Sequence, residues 1–281
     1  MTGRALEPQG VTVGTCRHVA GNLQQTPSSH MTAFNRLTDV PLSLRDRYLA
    51  SLREPQEWFL EELVKSGEVW ASPSGAYAIF HNDRLVEFYA ENSADATLYL
   101  SKLIPQRPFK TGLCKSFDHM IMDAAKKLGW ATVETGFLFR KRVSVALNKP
   151  DTFRLLRARP TDLAEVWATG RDFYDGKDEV AQLHDADGLW IASNDGQMVG
   201  SGVAIPLDGS GDVVDIGMVT RPDQRNKGFA SLVIDELATL LEREGKRPIC
   251  GCAETNLASK AALENAGFVS EHRLVQITAP D

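Results

Sequence analysis

The sequence predicts a mixed α/β fold, a mostly antiparallel twisted sheet flanked by helices, and it predicts that fold twice within 281 residues. Three observations carry the prediction. Between residues 189 and 219, apolar runs alternate with tight turns in the manner of hairpin strands. A long amphipathic helix then leads to another apolar strand, and a hairpin followed by a crossover helix makes a mixed sheet covered by helices. Short segments of the first half also reappear in the second half in the same order.

The second half is the easier to read. Residues 153–158 form a strand that leads to a helix starting near Thr161, an N-cap with Asp162 and Glu165 in the first turn. A variable loop or short helix, 172–187, precedes a strand at 189–193. Asn194-Asp195-Gly196 is a hairpin turn signal. Strands at 198–205 and 213–219 flank a Gly-rich loop at 207–211. In the next helix Ala230, Val233, Ile234, Leu237 and Leu241 share one face, and it ends near Gly245. A strand at 249–253 and a second helix closing at Ala266-Gly267-Phe268 complete the run.

Composition narrows the function class. The formal charge is −6, which gives no electrostatic case for nucleic acid or an anionic membrane as partner. No apolar run approaches a membrane span, and no signal-peptide core is present, so a cytoplasmic location is expected. Cys16, Cys114, Cys250 and Cys252 lack zinc-type spacing, and no metal is expected. Cys250 and Cys252 share a face of one strand and read as reduced core residues. Residues 1–30 are polar and without periodicity, and read as a disordered tail.

The most informative stretch is 219–230, Val-Thr-Arg-Pro-Asp-Gln-Arg-Asn-Lys-Gly-Phe-Ala. A strand runs into a turn, and the turn feeds a helix through Arg225-x-x-Gly228-x-Ala230. Backbone N–H groups at the positive end of a helix dipole then converge on one small space, which suits a phosphate or pyrophosphate. Gly228 allows close approach, and Arg225 and Lys227 add charge at the rim. With this loop, its strand and helix, and the N-x-x-S-x-x-x-L-x-x-x-G-F segment at 256–268, roughly residues 152–278 resemble the GNAT acyltransferase superfamily. Its members carry acyl groups from acyl-coenzyme A to amines.

The repeat extends the resemblance to a tandem protein. Trp70-Ala-Ser-Pro-Ser-Gly75 parallels Ile191-Ala-Ser-Asn-Asp-Gly196, and Arg107-Pro108 parallels Arg247-Pro248 before a strand. Leu128-Gly129-Trp130 parallels Ala266-Gly267-Phe268, with strands after each at 131–140 and 269–277. The first copy is 19 residues shorter between Gly75 and Arg107 than the second is between Gly196 and Arg247. It has no cradle loop between Tyr89 and Thr97, and Asp118-His119 stand near the place of Asn256. The expected organisation is a tail (1–30), a degenerate GNAT-like domain (31–148) and a catalytic one (152–281), joined at Asn148-Lys149-Pro150-Asp151. The first copy walls the acceptor cleft or serves as structure.

The resemblance implies a set of roles. Met218, Val219 and Thr220 lie on a strand that splays from its neighbour and pairs with the pantetheine arm of acetyl-CoA, the expected co-substrate. The pyrophosphate lies on the N–H groups of Arg225, Asn226, Lys227, Gly228, Phe229 and Ala230. Asn256 reaches the pantetheine, caps its helix, or does both; Ser259 shares that ambiguity. Many family members place a proton-donating tyrosine seven residues beyond this asparagine, where this chain has Leu263.

For the general base, Asp215 interrupts an apolar strand and is the first candidate, its alternative being an outward-facing or capping aspartate. Glu254 is second; Asp172, Tyr174 and His184 lie in the variable segment. The expected reaction is direct attack of a small-molecule or peptide amine on the thioester in a ternary complex, with an oxyanion-stabilising N–H near Val219. The competing reading is an inactive coenzyme A sensor. The expected assembly is a monomer or homodimer.

Overall fold

The computed structural model describes residues 33–207 and 211–280. The tail expected at 1–30, with Cys16, lies outside the described residues, as do 208–210 of the Gly-rich loop. The first half comprises β1 (Asn35–Leu37), α1 (Leu42–Ser51), α2 (Trp58–Lys65), β2 (Glu68–Ser72), β3 (Ala76–His81) and β4 (Arg84–Ala90). It continues with α3 (Ala96–Gln106), β5 (Thr111–Lys115), α4 (His119–Lys127), β6 (Ala131–Phe139) and β7 (Lys141–Arg142). The second half has β8 (Arg154–Arg157), α5 (Leu163–Thr169), α6 (Lys177–Asp185), β9 (Leu189–Asn194), β10 (Gln197–Pro206) and β11 (Val213–Thr220). Then come α7 (Phe229–Arg243), β12 (Arg247–Ala253), α8 (Leu257–Asn265), β13 (Phe268–Val269) and β14 (His272–Thr278).

Twelve strands form one sheet in the order β1-β2-β3-β4-β5-β14-β6-β12-β11-β10-β9-β8. Among the described residues only β4 with β5 and β11 with β12 pair in parallel; the other neighbours are antiparallel. The order contains an exchange. The last strand of the chain, β14, pairs with β5 of the first half, and β6 of the first half pairs with β12 of the second. β14 and β6 lie beside each other at the centre.

Local chemistry explains the elements that frame the functional region. Asp195 and Gly196 both have positive φ, 50° and 75°, as a type I′ hairpin between β9 and β10 requires. α7 buries Leu232, Val233, Ile234, Leu237, Ala238 and Leu241 in a core shared with Val214, Ile216 and Cys250 of the sheet. It stops at Gly245, whose φ is +75°. On the opposite face, Val166, Tyr174, Val180 and Leu183 of the α5–α6 region pack on Leu189, Met198 and Val203. In the first half, α3 and α4 cover one face, while Tyr48 and Val64 of α1 and α2 pack on the other. No helix among the described residues is long and apolar enough to cross a membrane.

Three expectations are corrected. Thr161 is not a helix N-cap: Pro160, Thr161 and Asp162 form a 3₁₀ turn, and the Asp162 carboxylate accepts the Arg159 N–H at 2.8 Å. Proline's fixed φ starts the turn before Thr161. The closing strand expected at 269–277 is divided, because β13 leaves the main sheet to pair with β7 before β14 begins. Finally, Arg107 is not the counterpart of Arg247. Arg107 ends α3, whereas Arg247 already lies in β12, paired with Val213; the residue so placed in the first half is Thr111, paired with Arg84.

Candidate active site

β11 and β12 pair only from Val213/Arg247 to Asp215/Ile249. Beyond that point they diverge, β11 running on to Thr220 and β12 to Ala253. Two hollows meet in the opening. One is a groove of about 810 Å³ on the α7–α8 side; the other is a cavity of about 420 Å³ on the opposite side. Phe173, Ile216, Gly217, Gly251 and Cys252 line both. Gly217 and Gly251 carry no side chain into the junction. A Cβ on Gly217 would stand 3.2 Å from the Phe173 ring, so side chains there would narrow the passage.

The groove gathers most of the residues expected to hold coenzyme A. Met218, Val219, Thr220, Arg225, Asn226, Gly228, Phe229, Ala230 and Asn256 all line it. Gly228 is the N-cap of α7 with φ +83°, and Asn226 has φ +63°. A Cβ at Gly228 would meet nothing within 4 Å, so packing does not demand glycine there. Its left-handed backbone does, and the space beyond it is open to an incoming group. The first turn of α7 presents N–H groups with no partner inside the helix. The Arg225 N–H differs, being turned towards the Pro222 carbonyl at 3.4 Å. Lys227 is held by Gln224 through Nζ at 2.9 Å and does not line the groove. The Phe229 ring belongs to the core, stacked on Phe153.

Asn256 is the N-cap of α8: its Oδ1 accepts the Ser259 N–H at 3.1 Å while the residue borders the groove. Both alternatives for Asn256 are therefore geometrically available. Leu263, at the position of the family's tyrosine, is 1% exposed and packs in the core beneath the groove.

The cavity holds Asp215. Its Oδ2 accepts the Trp58 N–H at 3.0 Å. Burial pushes its carboxyl up from the ordinary 3.8 to about 7; the neighbouring Glu57 charge adds to this, while the Trp58 hydrogen bond and Arg140 oppose it. Glu57 is itself buried. Its Oε1 pairs with Arg140, and its Oε2 has no partner. Glu179, also in the lining, is raised by burial, with Asp175 adding to the effect and the Asp175 N–H opposing it. The remaining walls are mostly apolar, from Trp58, Phe59, Phe173, Leu183, Val203 and Ile205 among others.

The first half supplies part of this wall. Arg140 donates from Nε to the Pro55 carbonyl at 2.9 Å and from Nη1 to the Cys250 carbonyl at 3.2 Å. Arg247 reaches Glu54. These contacts hold the 54–57 segment, and with it the start of α2, against the second half. Sequence reasoning missed Glu57, Trp58 and Phe59 because their place depends on contacts far along the chain. In the variable segment it named Asp172, Tyr174 and His184. Asp172 borders the groove, Tyr174 turns into the core to bond Ser201 at 2.8 Å, and His184 pairs with Asp185. The cavity residues there are Phe173, Glu179 and Leu183, and the i, i+4 spacing of the last two on α6 was a usable signal. Glu254 is exposed beyond β12 and lines neither hollow.

The first half repeats the divergence and fills it. β4 and β5 pair only at Arg84/Thr111 and Leu85/Gly112. Cys114 and Cys250 are buried in the corresponding helix-covered cores, which makes Lys115 the counterpart of Gly251. A bulge at Val86–Glu87 places Glu87 at the level of Asp215. Lys115 is fully buried and donates to the Tyr48 hydroxyl and to Gln56 Oε1. Tyr48 donates to Asp118 at 2.8 Å, and Tyr77 to Glu87 at 2.6 Å. Arg45 bridges Glu87 and Glu61. Met120 Sδ meets the Ala90 N–H at 3.1 Å, so the outer edge of β4 is also occupied.

Comparisons agree with this architecture. Residues 151–268 match the model of the Acetyltransferase (GNAT) family. No curated protein matches the chain. Among solved structures, an acetyltransferase from the GNAT family of Colwellia psychrerythraea superposes with a TM-score of 0.79 at 15% identity, covering 88% of this chain and 100% of that one. A GCN5-related N-acetyltransferase from Sphaerobacter thermophilus gives 0.57 at 14% identity, covering 87% and 94%. A tandem GNAT protein from the clavulanic acid biosynthesis pathway gives 0.56 at 14% identity, covering 89% and 99%. At these identities the structures speak for the fold, and the family model speaks for the second half. Residues 151–268 match the GNAT acetyltransferase family model, and the chain as a whole has the fold of these GNAT structures, a tandem one among them.

Proposed function

We propose that the protein is an acetyl-CoA-dependent N-acetyltransferase that moves an acetyl group to the primary amine of a small molecule or peptide. The observation that carries this reading is the meeting of a carboxylate-bearing cavity with the groove at the β11–β12 opening. In the groove, the left-handed Gly228 and the first turn of α7 suit a pyrophosphate, and the outer edge of β11 offers backbone groups to an extended arm. The thioester is the activated acyl donor. Asp215, with a carboxyl at about 7, takes a proton from the bound ammonium near neutral pH. The freed amine nitrogen forms its bond to the thioester carbonyl carbon, an N–H near Val219 stabilises the oxyanion, the adduct's nitrogen gives its second proton to solvent, and the C–S bond breaks. Leu263 donates no proton, so the thiolate leaves as such, which a thiol pKa of about 8.5 allows.

Calorimetric titration with acetyl-CoA tests the coenzyme site. One site per chain is expected, lost in Gly228→Asp, whose side chain strains the φ of +83° and puts a negative charge where the pyrophosphate would lie. Absence of binding in the unsubstituted protein would end the acyltransferase reading. The second reading, a coenzyme A sensor, is favoured only by the buried Leu263, and it predicts binding without thiol release in the presence of any amine.

A further inference from the structure

The cavity has a chemistry narrower than amine acetylation requires. Glu57 is 5% exposed, and its Oε2 is buried with no hydrogen-bond partner. A buried carboxylate oxygen left unpaired is costly, and a charged donor is the group that best relieves it. Arg140 does not bond that oxygen: its hydrogen bonds go to Glu57 Oε1 and to the carbonyls of Pro55, Phe139 and Cys250. Asp215 follows on the same wall, its carboxylate tied to the Trp58 N–H. Both acids lie on the cavity side of the Gly217–Gly251 junction. Away from them the walls are apolar apart from Glu179 and Thr135, and the aromatic rings of Phe59 and Phe173 stand half-exposed.

We infer that the acceptor is a cationic amine with an apolar body, its ammonium held between Glu57 and Asp215 and its body lying against Trp58, Phe59 and Phe173. This deepens the acyltransferase reading and rests on it. A cavity of about 420 Å³ is in the range that encloses a small drug-sized molecule. Amino acids fit poorly, because their carboxylate would stand beside two others. Polyamines find only Glu179, whose ionisation burial opposes, for a distal charge, and amino sugars leave most of their hydroxyls without partners. Glu57 positions the nitrogen; Asp215 takes the proton. The first half thus determines specificity for a reaction carried out in the second.

The test is calorimetric titration of the full chain, loaded with coenzyme A, against a graded series. The series contains benzylamine, 2-phenylethylamine, 4-phenylbutylamine, hexylamine and tryptamine, each beside its isosteric alcohol, with phenylalanine and spermidine as polar controls. At least one apolar amine is expected to bind about tenfold or more tightly than its alcohol, because a site built for a charged donor rejects the analogue without one. Glu57→Gln removes most of that preference and leaves coenzyme A binding intact. Val203→Phe fills the cavity, weakens amine and alcohol alike, and also spares coenzyme A.

Equal binding of amines and alcohols, a preference for spermidine, or no binding from the series would overturn the inference. If coenzyme A still binds in those cases, the acyltransferase reading survives. If the unsubstituted protein fails to bind coenzyme A, that reading fails instead. Should Glu57→Gln unfold, the amine-to-alcohol ratio in the unsubstituted protein decides alone.

Discussion

The two divergent strand pairs of this molecule begin from the same backbone geometry and are put to opposite use. Between β11 and β12, Gly217 and Gly251 leave a passage from groove to cavity. Between β4 and β5, the counterpart of Gly251 is Lys115, and Tyr48, Gln56, Tyr77 and Glu87 pack around it in a hydrogen-bonded cluster. Even the carboxylates correspond. Asp215 faces a cavity, while Glu87 is enclosed by Arg45, Tyr77 and Gln56. A degenerate copy therefore need not lose the splayed strands. It needs only side chains that fill the gap and satisfy one another's hydrogen bonds.

The comparison can be broken most sharply at its catalytic end. Asp215→Asn is expected to lower kcat/KM by about 100- to 10,000-fold, the range for loss of a general base. The parent's kcat/KM is expected to rise with pH through about 7, where Asp215 ionises with Glu57 opposing and Arg140 favouring the charge, and then to level; the variant loses that rise. Initial rates of thiol release across pH measure both. Gly251→Lys carries the first half's plug into the second. The new chain enters the passage, and turnover is expected to fall by about 100-fold or more, as misplacing reacting groups by about 1 Å does. Unchanged turnover would show that the passage lies elsewhere.

One further substitution, and Asp215→Asn again, act on stability. Lys115→Met leaves Asp118 without its buried cation and is expected to cost about 3–5 kcal/mol in denaturant unfolding, without creating a second coenzyme site. Asp215→Asn has the opposite sign. The folded protein holds the Asp215 proton from about pH 4 to about 7, where the unfolded chain has released it, so this residue makes stability fall as pH rises through that window. The variant is therefore more stable than the parent at about pH 8, by at most about 4 kcal/mol, and gains nothing at about pH 4. Thermal melts at the two pH values read the difference.

The smallest effect sharpens the comparison between caps. Asn256→Ala removes an exposed N-cap and costs about 1 kcal/mol. Asp118→Ala removes a buried one that also receives the Tyr48 hydroxyl, and is expected to cost more.

The sequence made some of this legible and left the rest hidden for physical reasons. The cradle, α7 and the hairpin at Asp195-Gly196 depend on spacing and on φ preferences, which neighbours in the chain reveal. Asp215 stood out because a charge in an apolar strand is locally conspicuous. Glu57 and Trp58 did not, since their approach to the cavity depends on Arg140 and Arg247, which stand far away in the chain. Arg107-Pro108 misled because the same dipeptide precedes a strand in one half and lies inside it in the other. The filled gap beside Lys115 was visible only as a missing motif, because packing partners such as Tyr48 and Gln56 carry no sequence signature of their own.

The exchanged strands carry a consequence for how the molecule comes into being. As the chain leaves the ribosome, β5 has no inner neighbour until β14 has been made, and β6 waits for β12. The half synthesised first therefore finishes folding among the last, and cutting the chain between Lys149 and Thr152 would put β6 and β14 each in a fragment without any of its sheet neighbours.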